Sequence, residues 1–273
     1  METGPDSSTA KRLIIHCGVQ KTGSTSLQNF LGRNRDKLAG RLAILTPVKG
    51  SATRDLGNAA MRFSLRPSDK RMRRLRECAI LLRDAILRQD AGTVLLSHEN
   101  LLGAMPGNGG TVSLYPQLEP IVDALERAFA PLRPDYAIYT RGMAEWKRSV
   151  HGQAIRSDGY TGTLAEFLSE TEACSDWSDV QRRLELAVGP TRARLFSIED
   201  EPTPERPGQQ LLHHAGLTAT EIAALSPAPG RRKVRMNTGS VEFQRLVNQL
   251  KIDRAARRAI SELIAGNQGL FAS

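Results

Sequence analysis

Between Cys17 and Leu27 the chain reads Gly18-Val-Gln-Lys21-Thr22-Gly23-Ser24-Thr25-Ser26. Two glycines bracket a lysine, and three hydroxyl residues follow the second glycine. In a turn of this kind ahead of a helix, successive backbone N–H groups converge on an anion, and glycine omits the Cβ that would block its approach. The spacing Gly18-x4-Gly23 fits the first half of a Walker A loop, which places its lysine directly after the second glycine. Here Ser24 holds that place, and Lys21 lies inside the loop.

A second cluster follows the apolar run Thr93–Ser97, where His98, Glu99 and Asn100 stand in sequence. An imidazole or a carboxylate at a strand end can take a proton from a reacting hydroxyl. Neighbours there point to opposite sides, so one of His98 and Glu99 faces the chemistry. Asn100 suits a cap on the next short helix. Two basic stretches complete the set: residues 70–76, and Gly230–Ser240 with Arg235 and Asn237. The first reads as a solvated helix face with a lesser role in guiding an anionic partner, the second as a loop that could close on a ligand.

These residues need a scaffold of alternating strands and helices. Apolar runs of strand length occur at Arg12–Cys17, Leu42–Leu45, Thr93–Ser97, Asp135–Thr140 and Arg192–Ile198. Helical periodicity covers Thr25–Leu38, Ser68–Gln89, Gln117–Phe129, Met143–Ile155, Trp177–Ala187 and the tail from Ser240. The alternation predicts one α/β domain over residues 1–273: a mostly parallel central sheet flanked by helices, of the P-loop nucleotide-binding type. Residues 1–10 read as a disordered start. Thr46–Pro67 and Glu199–Gln209, rich in Pro, Gly and charge, read as long loops.

Composition narrows the class. With 40% hydrophobic and 25% charged residues the chain is neither disordered nor fibrous. No apolar run approaches the ~20 residues that span a bilayer, and the first residues lack a secretory apolar core. Cys17, Cys78 and Cys174 form no CxxC pair, which predicts reduced thiols and a cytoplasmic location, with no metal site. A net charge of +9 predicts anionic partners.

The segment LIIHCGVQKTGSTSLQ resembles the 5′-phosphosulfate-binding loop of sulfotransferases that use 3′-phosphoadenosine 5′-phosphosulfate (PAPS). Those loops commonly read PK-[ST]-G-[ST]-[ST], so Gln20 stands where proline is usual. The resemblance implies that Lys21, Thr22, Gly23, Ser24, Thr25 and Ser26 hold the 5′-phosphate and sulfuryl end. It also implies an Arg after a later strand and a Ser on the following helix gripping the 3′-phosphate. Arg141 and Ser149 occupy those places, and a guanidinium with a hydroxyl suits a phosphate. Related enzymes use His or Glu at the end of the intervening strand as base. Both stand here, with Glu99 slightly ahead of His98. The resemblance covers roughly the first 160 residues. It implies transfer of a sulfuryl group to a hydroxyl-bearing acceptor, foremost a sugar or glycolipid, anionic glycans included, leaving 3′,5′-ADP.

Two rival readings follow from the same residues. A P-loop kinase or nucleotidase would use ATP, with Thr25 on magnesium and Glu99 as its acidic partner, but the place of Lys21 speaks against it. A non-catalytic nucleic-acid-binding module would use the Arg-rich faces, yet seven Phe and four Tyr leave few side chains for base stacking.

Overall fold

The computed structural model describes residues 11–229 and 236–271, so the expected frayed start at 1–10 lies outside the described residues. Five strands form one all-parallel sheet: β1 (Arg12–His16), β2 (Leu42–Leu45), β3 (Thr93–Ser97), β4 (Asp135–Thr140) and β5 (Ala193–Ser197). Their order is β2-β3-β1-β4-β5. Twelve α-helices are described around the sheet: α1 (Ser24–Arg33), α2 (Arg35–Leu38), α3 (Ala52–Leu65), α4 (Asp69–Leu87), α5 (Leu118–Ala128), α6 (Met143–Gln153), α7 (Leu164–Glu170), α8 (Ser178–Val188), α9 (Gln209–His214), α10 (Ala219–Ala223), α11 (Thr238–Asn248) and α12 (Arg254–Gly266). The parallel α/β sheet expected from the alternation is therefore present.

Burial on both faces explains the near-continuous apolar strands. Leu13 and Ile15 of β1, with Val94 and Leu96 of β3, pack in a core that includes Leu56 and Phe63 of α3, Leu75 of α4 and Leu125 of α5. Ile14 and Leu95 point the other way, into a core with Leu27, Phe30 and Leu31 of α1 and Leu211 and Leu212 of α9. The chain leaves β1 toward β2 on one flank, and leaves the neighbouring β4 toward β5 on the other. In open α/β sheets, ligands bind at the carboxyl ends of strands whose connections part in this way.

Several boundaries differ from the sequence reading. Thr46–Pro67 is not a long loop: its Ala52–Leu65 portion is the 14-residue α3, capped by the Ser51 side chain, which accepts from the Arg54 N–H. Leu56, Ala60 and Phe63 give that helix a buried face, while Gly50, Gly57 and the flanking prolines mask the period. The expected helix 25–38 divides at Asn34, whose side chain donates to the Ser226 carbonyl and accepts from the Ser226 N–H. The helix after β4 turns into a π-helical segment, Ala154–Asp158. Glu199–Gln209 is irregular beyond a short 3-10 turn, as expected. Among the described residues, no helix is long and apolar enough to cross a membrane. Cys17, Cys78 and Cys174 are buried free thiols.

Candidate functional site

The loop after β1 is built by backbone that only certain residues adopt readily. Gly18 has φ 97°, Lys21 φ 67° and Gly23 φ 86°, so three left-handed residues fold the chain from β1 into α1. At Gly18 the requirement is also steric, because a Cβ would stand 3.0 Å from the Cα of Glu99. The β1–β4 ladder continues into the loop: the Val19 N–H donates to the Tyr139 carbonyl at 3.0 Å and the Tyr139 N–H to the Gly18 carbonyl at 2.6 Å. Thr22 Oγ1 closes the turn onto the Val19 carbonyl at 2.7 Å. Among the described residues, the N–H groups of Thr22, Gly23, Ser24 and Thr25 have no protein acceptor. They lie at the positive end of the ten-residue α1, the arrangement that binds an anion.

Gln20 is a hub of this loop. Its Oε1 accepts from the buried Tyr115 hydroxyl at 2.8 Å. Its Nε2 donates to Asn100 Oδ1 at 3.2 Å and to the Gly103 carbonyl at 3.0 Å. Its own carbonyl accepts from Trp146 Nε1 at 2.8 Å. The Gln20 side chain thereby fastens the loop to the chain after β3, which a proline could not do, while its carbonyl ties the loop to α6.

Alternation continues past the end of β3 and separates the two candidate bases. His98 follows Val94 and Leu96 to the α3 side and is buried. Its Nε2 occupies the space above Gly57, where a Cβ would stand 2.0 Å away. Its Nδ1 accepts from the Asn100 N–H at 3.2 Å, so the Nε2 proton of the neutral ring faces α3 with no hydrogen-bond partner. Burial lowers the pKa of His98; the Glu99 carboxylate opposes this and Arg54 adds to it. Glu99 turns to the α1 side with its side chain 27% exposed. Gln28 Nε2 of α1 donates to Glu99 Oε2 at 2.8 Å and approaches Ser97 Oγ at 3.5 Å. Ser97 Oγ lies 2.8 Å from Nδ1 of His16, which burial holds at a pKa of about 4 against the opposing charge of Glu99.

Helix α6 lies along the loop. Lys21 Nζ donates to Gln153 Oε1 at 3.3 Å, while Trp146 holds Gln20, so residues 146 and 153 mark the face of α6 turned to the loop. Ser149 falls on that face between them and is half-buried. Arg141 follows β4 with its side chain 17% exposed and its Nη2 3.7 Å from Glu145 Oε2. Its carbonyl accepts from Trp177 Nε1 at 2.7 Å, and Glu199 Oε1 accepts from the Gly142 N–H at 3.1 Å.

The structure thus gathers Lys21, Thr22, Gly23, Ser24, Thr25, Ser26, Glu99, Arg141 and Ser149 along one edge of the sheet, while the His98 ring packs its Nε2 side on α3 and keeps its Nδ1 3.7 Å from Glu99 Oε2. Gly230 to Arg235 lie outside the described residues, so nothing structural bears on Arg235. Asn237 caps α11, accepting from the Ser240 N–H at 2.8 Å, and is bound to Gln268 through its N–H and Nδ2. Those bonds give it a structural role instead of the suggested ligand role. Sequence reading missed Gln28, Trp146 and Tyr115. The signal for Gln28 was its place four residues after Ser24, one turn along the helix that the loop begins. No protein-family model matches the chain, and no curated protein sequence matches it.

Proposed function

We propose that this protein is a PAPS-dependent sulfotransferase acting on a hydroxyl acceptor, foremost a sugar or glycolipid. The observation that carries the reading is the contact between Gly18 and Glu99, which sets a carboxylate at the edge of an anion-binding loop that has its lysine inside. The residues fit the donor. Amides without protein acceptors and the N-terminus of α1 suit a 5′-phosphate, and Arg141 with Ser149 suits a 3′-phosphate.

When bound, PAPS supplies a sulfuryl group activated by its link to a phosphate. The residues of the chain do the rest. Glu99 takes the proton of the acceptor hydroxyl as the new sulfur–oxygen bond forms, and Gln28 holds the carboxylate for that task. The Lys21 ammonium stabilises the negative charge that develops on the departing phosphate oxygen. Gln153 steadies that ammonium from α6. The buried thiols accord with a reducing compartment, and the reading includes a cytoplasmic location.

The test is transfer of ³⁵S from labelled PAPS into pooled glycan, lipid and phenol acceptors. Lys21→Ala should lower turnover by ~10²-fold or more with a smaller effect on donor binding. Transfer unchanged in that variant would remove Lys21 from the chemistry.

A further inference from the structure

Between residues 62 and 76 the chain carries seven cations, Arg62, Arg66, Lys70, Arg71, Arg73, Arg74 and Arg76, against Asp69 alone. That is a net +6 of the chain's +9, concentrated where α3 turns into α4. All but Arg71 are exposed. Arg74 pairs with Glu77 at 3.3 Å, whereas among the described residues Arg62, Arg66, Lys70, Arg73 and Arg76 have no carboxylate within ion-pair distance. Like charges crowded on one turn repel one another, so an arrangement without counter-charges favours a partner that brings them.

The position of the turn matters as much as its charge. Gly57 of α3 packs on His98, beside Glu99. One helical stretch later, Ser64 Oγ accepts from the Ala104 N–H at 2.9 Å, and Leu65 Cδ2 lies where a Cβ on Gly109 would come within 2.9 Å. The chain from 98 to 109 therefore runs along α3, from the reaction edge to the basic turn. Nine residues of helix separate Gly57 from Arg66, about 13 Å at the α-helical rise. A linear molecule with one hydroxyl at Glu99 would reach the cations with its next few units.

We infer that the α3–α4 turn is a docking surface for an anionic polysaccharide, which it holds while one hydroxyl lies at the carboxyl edge of the sheet. A glycan, and not a single-stranded nucleic acid, is the occupant because the exposed apolar side chains described on the hairpin, Leu65, Ile80, Leu81 and Leu87, are all aliphatic. They offer no platform for stacking bases. That choice of occupant as acceptor rests on the proposed sulfuryl transfer, while the surface itself rests on charge and geometry alone.

The experiment is fluorescence anisotropy of a fluorescein-labelled chondroitin sulfate dodecasaccharide at physiological ionic strength, with the melting temperature of every variant recorded. The triple variant Arg62→Glu/Arg66→Glu/Lys70→Glu should weaken binding by about tenfold or more, with a shallower salt dependence. An equally large charge change at Arg33→Glu/Arg35→Glu/Arg88→Glu, on exposed positions away from the turn, should cost under about threefold. Equal losses in the two triples would mean a general effect of net charge and would overturn the docking surface, as would no binding by the unaltered protein. Tighter, turn-dependent binding of duplex DNA would assign the surface to nucleic acid instead. If 3′,5′-ADP failed to bind while the glycan results held, the transfer reading would fall and the docking surface would stand.

Discussion

Gln28 donates from its side-chain amide to Glu99 across 2.8 Å, joining the helix that begins at the anion-binding loop to the end of β3. The bond holds one carboxylate oxygen on the α1 side of the sheet, while His98, one residue earlier, lies under α3. Gln28→Leu removes the bond with little change in volume. Turnover should fall by about tenfold with 3′,5′-ADP affinity retained, since a bond to a charged group is worth about 1.5–3 kcal/mol. Steady-state kinetics beside calorimetry checks the split; a loss confined to nucleotide binding would assign Gln28 to the loop and not to the carboxylate.

Glu99 and His98 are separable by replacement. Glu99→Gln keeps shape and removes the base, so turnover should drop by ~10²-fold or more while nucleotide binding survives. His98→Asn should cost less in turnover and more in stability, because the ring fills the space above Gly57. If His98→Asn were the more damaging to turnover, the base would be the imidazole.

Gly57 sits inside α3, where alanine would ordinarily gain up to about 1 kcal/mol of helix propensity. Here its Cβ would lie 2.0 Å from His98 Nε2, so Gly57→Ala should instead destabilise by about 1–3 kcal/mol. Urea unfolding measures it. Adding His98→Ala should recover part of the loss, and a stabilised single variant would show that the ring moves freely.

His16 gives a pH dependence with a definite sign. Burial lowers its pKa from 6.5 to about 4, so between those values the unfolded chain binds a proton that the folded chain refuses. Its contribution is fully present above pH 6.5 and is lost as pH falls toward 4, by up to about 1.4 kcal/mol per pH unit. His98, also lowered by burial, works in the same direction. His16→Gln should flatten the stability curve in that window. An unchanged slope would place the titration elsewhere.

Much of the fold was legible because its strands are short apolar runs separated by helical periods, as at Arg12–His16 and Thr93–Ser97. The glycine-bracketed lysine was legible for the same reason: its spacing is local. What failed was long-range. Helix α3 was hidden because Gly57 interrupts its apolar stripe, and that glycine is explained only by His98, 41 residues later. Gln20 read as a small departure from a familiar loop, yet its bonds to Tyr115, Asn100 and Gly103 span about a third of the chain. Polar side chains of this kind carry no periodic signal, and their partners appear only when the sheet brings distant loops to one edge.

The central claim is most directly tested by calorimetry of 3′,5′-ADP against 5′-ADP. Arg141, 17% exposed after β4, and Ser149 on the loop-facing side of α6 would hold the extra phosphate. The predicted result is a preference of at least ~1.5 kcal/mol for 3′,5′-ADP, the scale of a charge-assisted hydrogen bond, most of it lost in Arg141→Ala with the fold intact. Equal affinity for the two nucleotides in the unaltered protein would contradict the assignment of PAPS as donor.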